Sequence, residues 1–74
     1  MHLARVMKVL EVVAMAGRPV TASEVQQLTD LPRPTCYRLL HSMQAEQLLD
    51  AVSSGRFIVG ESLVRLALLG QTDV

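Results

Sequence analysis

The chain has 74 residues, half of them apolar, with no Trp, one Tyr and one Phe, so it makes one small domain around an aliphatic core and is not a disordered segment. Seven Lys/Arg balance seven Asp/Glu; bulk charge therefore counts against nucleic-acid binding, and only the distribution of charge can argue for it. The apolar runs fall short of the ~20 residues a membrane helix needs, and the single cysteine excludes an internal disulfide.

A core of this size stabilises by about 3–5 kcal/mol net, so a second subunit or a further domain would help. His2 and Arg5 interrupt the N-terminus, which has no signal-peptide pattern. With one thiol and no signal-peptide pattern, the cytoplasm is the expected compartment.

Residues 3–16 read as a helix. Leu3, Val6, Met7, Leu10, Val13 and Ala14 share one stripe at spacings of three and four. Gly17 stops the helix and Pro19 prevents its resumption. Val9, Val12 and Ala16 form a second apolar line, which is either the edge of a wide core stripe or a subunit contact. Thr21-Ala-Ser-Glu24 is a capping box that opens a short helix with Val25 and Leu28 inward and Gln26 and Gln27 outward. Val20 just before it suits a brief strand or a hydrophobic staple. The free N–H groups of such a helix start also suit a phosphate. Thr21 and Ser23 thus serve as cap, DNA anchor or both, capping alone being the simpler assignment.

Asp30-Leu31-Pro32 is a turn, and the next helix runs from about Pro32 to Glu46. Two prolines in its first turn are tolerated because the first N–H groups of a helix lack internal partners. Cys36, Leu39, Leu40 and Met43 fall on one side, with the Cys36 thiol buried. Pro34, Arg38 and His41 fall on the other, with Tyr37 beside them and Arg33 at the entrance. No Asp or Glu occurs from Leu31 to Ala45. Helix, tight turn and a helix with a basic, acid-free outer face is the helix-turn-helix arrangement.

Leu48 to Val52 and Arg56 to Val59 flank Ser53-Ser54-Gly55 and read as a β-hairpin, a wing, leaning on the helices with Val20 as a possible third strand. Ser54 at the tip and Arg56 at the base suit a phosphate or minor-groove contact; the plainer reading of Arg56 is a solvated side chain. Glu61 to Leu69 is a helix, apolar nearly all round and interrupted by Arg65. One small core cannot cover every side of it. It is expected to bury against the first helix and against a second subunit or a further domain, with Leu63, Leu66 and Leu69 joining Val9, Val12 and Ala16 in a dimer interface.

These residues, in order and spacing, resemble the N-terminal winged helix-turn-helix of the IclR family of bacterial transcription regulators. The carriers are Arg5 to Glu11, Ala16-Gly-Arg-Pro19, Thr21-x-x-Glu24, Leu31-Pro-Arg-x-Thr-x-Tyr-Arg-Leu-Leu40, Ala45-Glu-x-Leu-Leu49, Gly55-Arg-Phe-x-Val-Gly60 and the Leu66 to Gly70 end. Two positions depart from the family pattern. Pro34 stands where Ser is usual, removing a hydroxyl, and Gln47 stands where Gly commonly ends the recognition helix. If the backbone at Gln47 is left-handed, the side chain costs about 1 kcal/mol relative to Gly.

The resemblance implies a mainly α chain: a three-helix bundle plus wing over 1–60, with the helix-turn-helix at about 21–46 and the wing at about 48–59, followed by a linker helix at 61–74. It also implies a homodimer or higher homo-oligomer reading a palindromic or paired half-site operator in double-stranded DNA. A C-terminal domain, absent from this chain, would bind a small effector, and the regulator would most often be a repressor.

The expected DNA contacts are Arg33, Thr35, Tyr37, Arg38 and His41. Tyr37 alternatively covers the rim of the core, and His41 is alternatively only solvated. The second reading is a winged-helix protein-interaction module without base readout; it suits the zero net charge but not the acid-free outer face. An enzyme is not expected, because two His, one core-facing Cys and scattered carboxylates supply no catalytic constellation. No cofactor or metal is expected in this domain.

Overall fold

The computed structural model describes residues 3–71. His2 and the end of the 61–74 linker segment lie outside the described residues. The elements run α1 (Leu3–Met15), β1 (Val20–Thr21), α2 (Ala22–Thr29), α3 (Arg33–Ala45), β2 (Leu49–Val52), β3 (Arg56–Val59) and α4 (Glu61–Leu69). Helices α1 to α3 pack around one core, and a three-stranded antiparallel sheet of order β1-β3-β2 closes one side of it. This is a winged helix-turn-helix. Val20 does form the third strand, opposite Phe57, and in β3 Phe57 and Val59 pack on the core while Arg56 and Ile58 are exposed, as a period of two requires.

Gly17 ends α1 in the left-handed conformation, at φ 68°, where a residue without Cβ has no steric penalty. The core stripe on α1 differs from the one its spacing suggests. Val6, Val9 and Val13 are buried, with Leu10 and Ala16 packed beside them, while Leu3, Met7 and Ala14 face outward. A helix apolar on most sides leaves its rotational phase undetermined by spacing, and packing against α2 and β3 selects it. Val9 is 0% exposed; it belongs to the core, and its assignment to a dimer interface is corrected.

The capping box forms as the sequence indicates. The Glu24 amide donates to Thr21 Oγ1 at 3.1 Å and the Thr21 amide donates to Glu24 Oε1 at 3.1 Å. Val25 is buried, but Leu28 is 62% exposed and Thr29 takes the inward place. Thr29 can go inside because its hydroxyl donates to the Val25 carbonyl at 2.8 Å, so no polar group is left unpaired. Asp30 then turns left-handed at φ 57°, and its amide closes on the Gln26 carbonyl at 3.0 Å. The Gln26 side chain donates to the Leu31 carbonyl at 2.8 Å. Together these hold the three-residue turn that sets α3 against α2.

In α3, Cys36, Leu39, Leu40 and Met43 are all buried, and burial pushes the Cys36 thiol up from its ordinary pKa. Gln47 is left-handed at φ 62°, so the Gln for Gly departure does place a side chain where the backbone disfavours one. Helix α4 departs from expectation most. None of its residues is buried, and it meets β2 rather than burying against α1.

Candidate nucleic-acid interface

The outer face of α3 presents Arg33, Pro34, Tyr37, Arg38 and His41 to solvent, with Thr35 half-buried at its edge. The sequence leaves this face without acids from Leu31 to Ala45. Among the described residues the one ion pair joins Arg18 to Glu24, so Arg33, Arg38 and Arg56 each keep a guanidinium that no described carboxylate neutralises. Such a face favours a phosphate backbone by Coulomb attraction and offers two five-donor forks for base edges or phosphate oxygens.

Two of the expected residues are held together. Arg33 and Tyr37 lie one turn apart; the Arg33 guanidinium carbon stands 5.4 Å from the Tyr37 ring centroid, and Nη2 donates to Tyr37 Oη at a long 3.5 Å. The spacing of four already carries this pairing in the sequence, although sequence reasoning placed the two side chains separately. Tyr37 is 39% exposed, with a surface of its own beyond the core rim.

At α2 the Thr21 hydroxyl is committed inside the chain, accepting from the Glu24 amide and donating to Glu24 Oε1 at 3.2 Å. Ser23 is exposed beside it. Arg18, which sequence reasoning did not single out, donates to Glu24 Oε2 at 2.6 Å and extends the cap into a chain of three residues. The Arg18 hydrogen bond, followed by that from the Thr21 amide, holds the Glu24 carboxylate down at about 2.

The wing begins directly after α3. Ser54 stands at its tip with φ 65°, exposed, and Arg56 is exposed at its base. Arg56 pairs across the sheet with both Thr21 and Val52, which puts the base of the wing beside the start of α2. Residues directly opposite in a sheet share a face, so the Arg56 side chain emerges on the same side as that of Thr21.

Of the expected interface residues on the flanking helices, Val12, Ala16 and Leu63 are half-buried, while Leu66 and Leu69 are 63% and 74% exposed. An open apolar groove runs along α1 and α2, lined by Lys8, Glu11, Val12, Met15, Ala16 and Leu28. Among the described residues no helix is long and apolar enough to cross a membrane, and no cluster of His, Cys, Asp or Glu has the arrangement of a metal site.

The family model for the IclR helix-turn-helix domain matches residues 2–53. The chain belongs to the IclR family. Members of this family with the same helix-turn-helix are DNA-binding transcription regulators. Among solved structures, an IclR homolog from Microbacterium sp. strain HM58-2 is 34% identical, with a TM-score of 0.84 over 92% of this chain and 29% of that one. An IclR homolog from Microbacterium hydrocarbonoxydans, complexed with 4-hydroxybenzoate, is 33% identical, with a TM-score of 0.86 over 95% of this chain and 29% of that one. The repressor BlcR of Agobacterium tumefaciens is 32% identical, with a TM-score of 0.84 over 96% of this chain and 29% of its own. The chain thus spans under a third of the length of these IclR relatives. No curated protein matches it.

Proposed function

We propose that this chain is the operator-reading domain of a bacterial transcription regulator, with α3 lying in the major groove of double-stranded DNA. The observation that carries the reading is the outer face of α3: exposed, free of acids, and holding Arg33 and Arg38 without a carboxylate partner among the described residues. Thr35, Tyr37 and His41 share the contact with them. Ser23, Ser54 and Arg56 meet phosphates or the minor groove at the flanks, and Thr21 shapes the start of α2 as its cap. Electrostatic attraction positions the domain, and base edges in the major groove give it sequence preference.

The neutral net charge implies modest affinity for one copy, so two copies reading paired half-sites complete the proposal. Leu66 and Leu69 on α4, with Val12 and Ala16 on α1, are the apolar surfaces available for pairing. The expected setting is the cytoplasm. Repression controlled by a small effector on a separate domain is the regulatory scheme proposed, supported by the similarity to BlcR, a repressor, and to the homolog complexed with 4-hydroxybenzoate. No cofactor enters this role, and no catalytic one is proposed.

Gel shifts with promoter and random duplexes at two salt concentrations test the reading. A DNA reader retards the promoter duplex more strongly than the random one, and both complexes weaken as salt rises. Equal failure to retard either duplex at low salt identifies a protein-interaction module instead.

A further inference from the structure

The exposed face of α3 carries two arginines, and their surroundings differ. Arg33 is the first residue of the helix and stands between Pro32 and Pro34. A proline before it and a proline ring after it restrict the backbone on both sides. Its side chain is restrained as well, by the Tyr37 ring 5.4 Å below the guanidinium carbon and by the hydrogen bond to Tyr37 Oη. Arg38, also exposed, has no hydrogen-bond partner, ion pair or aromatic neighbour among the described residues. A guanidinium held in place loses less freedom when it makes two simultaneous hydrogen bonds to one base, whereas a mobile one suits the diffuse field of a phosphate.

From this difference, and resting on the DNA-reading function above, we infer that Arg33 is the base-reading arginine of α3, that its partner is a guanine, and that Tyr37 is the positioning residue that holds its fork. Guanine presents O6 and N7 side by side in the major groove, the acceptor pair that matches a guanidinium. The recognition helix of a helix-turn-helix meets base edges with its N-terminal residues, and Arg33 is the first of them. Pro34, in the second position, contributes no N–H that would need a partner at the groove. Arg38, one turn further on, positions the helix on the phosphate backbone.

The test is selection of duplexes from a random pool by the intact protein, followed by affinity measurements with guanine, adenine or 7-deazaguanine at each enriched position. Arg33→Ala flattens the guanine preference at one position and leaves the others. Tyr37→Ala and Tyr37→Leu both reduce that same preference, by roughly three-fold, the effect of one exposed cation–ring contact. Tyr37→Phe keeps the ring and retains most of the preference. In guanine preference, Arg33→Ala combined with Tyr37→Ala matches Arg33→Ala alone, because the two residues set that preference as one unit. The proposal is overturned if Tyr37→Ala weakens all sequences equally with the guanine preference intact, or if Arg38→Ala rather than Arg33→Ala flattens it. Enrichment of no sequence by the wild-type protein contradicts the DNA-reading function itself and removes this assignment with it.

Discussion

The backbone amide of Glu61 donates to the Asp50 carboxylate at 3.0 Å, and this contact ties the start of α4 to the second strand of the sheet. Two further contacts act at the same junction. The Ser62 hydroxyl donates to the Gln47 side-chain carbonyl at 2.9 Å, and the Gly60 amide donates to the Leu48 carbonyl at 2.8 Å. The orientation of α4 is thereby referred to β2 and to the link between α3 and β2, although α4 buries none of its own side chains. A Cβ at Gly60 would collide with the Gln47 carbonyl and come within 2.9 Å of the Leu48 carbonyl carbon. Gly60→Ala is therefore expected to destabilise the fold by about 2 kcal/mol or more, since the obstruction is backbone and cannot rotate away. Asp50→Ala removes only the acceptor of the Glu61 amide, and about 1 kcal/mol is expected. Urea unfolding of both variants checks the order of the two effects.

Gln47 gives a prediction of the opposite sign. Its backbone is left-handed, and glycine there removes a Cβ clash worth about 1 kcal/mol. The exposed hydrogen bond from Ser62 is lost in exchange, which offsets part of the gain. Gln47→Gly is expected to raise the stability by roughly 0.5 kcal/mol, read as a higher urea midpoint with an unchanged slope. Ser62→Ala measured alongside separates the two contributions.

Acid sensitivity is expected at the start of α2. In the folded chain the Glu24 carboxylate titrates near 2, below its ordinary value of 4.5, because Arg18 and the Thr21 amide hold its charged form. A carboxylate whose folded pKa is depressed contributes stability that is complete above the unfolded value and is lost as pH falls toward the folded one. The melting temperature should therefore decline between about pH 4.5 and 2, and Glu24→Gln should flatten that decline. Since Arg18 is exposed and Glu24 only half-buried, added salt should shrink the effect.

The apolar side chains of α4 bear on assembly. Leu66 and Leu69 stand mostly in water in the single chain, an arrangement that a partner surface would relieve. Leu66→Glu with Leu69→Glu is expected to shift the intact protein toward smaller species in sedimentation velocity and to weaken operator binding at least ten-fold, as paired half-sites uncouple. A wild-type protein that sediments as a monomer at high concentration contradicts the dimer.

The parts of the fold that were legible in the sequence are those where polarity breaks the pattern. Arg33, Arg38 and His41 opposite Cys36, Leu39, Leu40 and Met43 leave α3 one possible rotation, and its buried set is the one the spacing implies. Thr21 and Glu24 at a spacing of three specify the cap, and Gly17 and Pro19 the end of α1. Where apolar residues run on most sides, spacing loses its power. On α1 the core took Val9 and released Met7, and on α2 the choice between Leu28 and Thr29 turned on a hydroxyl that had a carbonyl to bond. The exposure of α4 was invisible for a related reason: apolar composition says that a helix needs cover without saying what covers it. At the interface, the residues were legible one by one. The spacing of four between Arg33 and Tyr37 makes them neighbours on the helix. The rotamers that bring guanidinium and ring together, and the register that sets Arg56 beside Thr21, depend on side-chain packing and strand pairing, which composition and spacing do not encode.

Contact between DNA and the acid-free outer face of α3 can be read residue by residue. Amide chemical-shift mapping of the isotopically labelled protein with a selected duplex is the measurement that reads it. The largest shifts are expected at residues 33–41, with a second group at Ser23, Ser54 and Arg56, and little change along the groove lined by Lys8, Val12 and Leu28. Shifts concentrated in that groove or on α4, with residues 33–41 unmoved at saturating DNA, would contradict it.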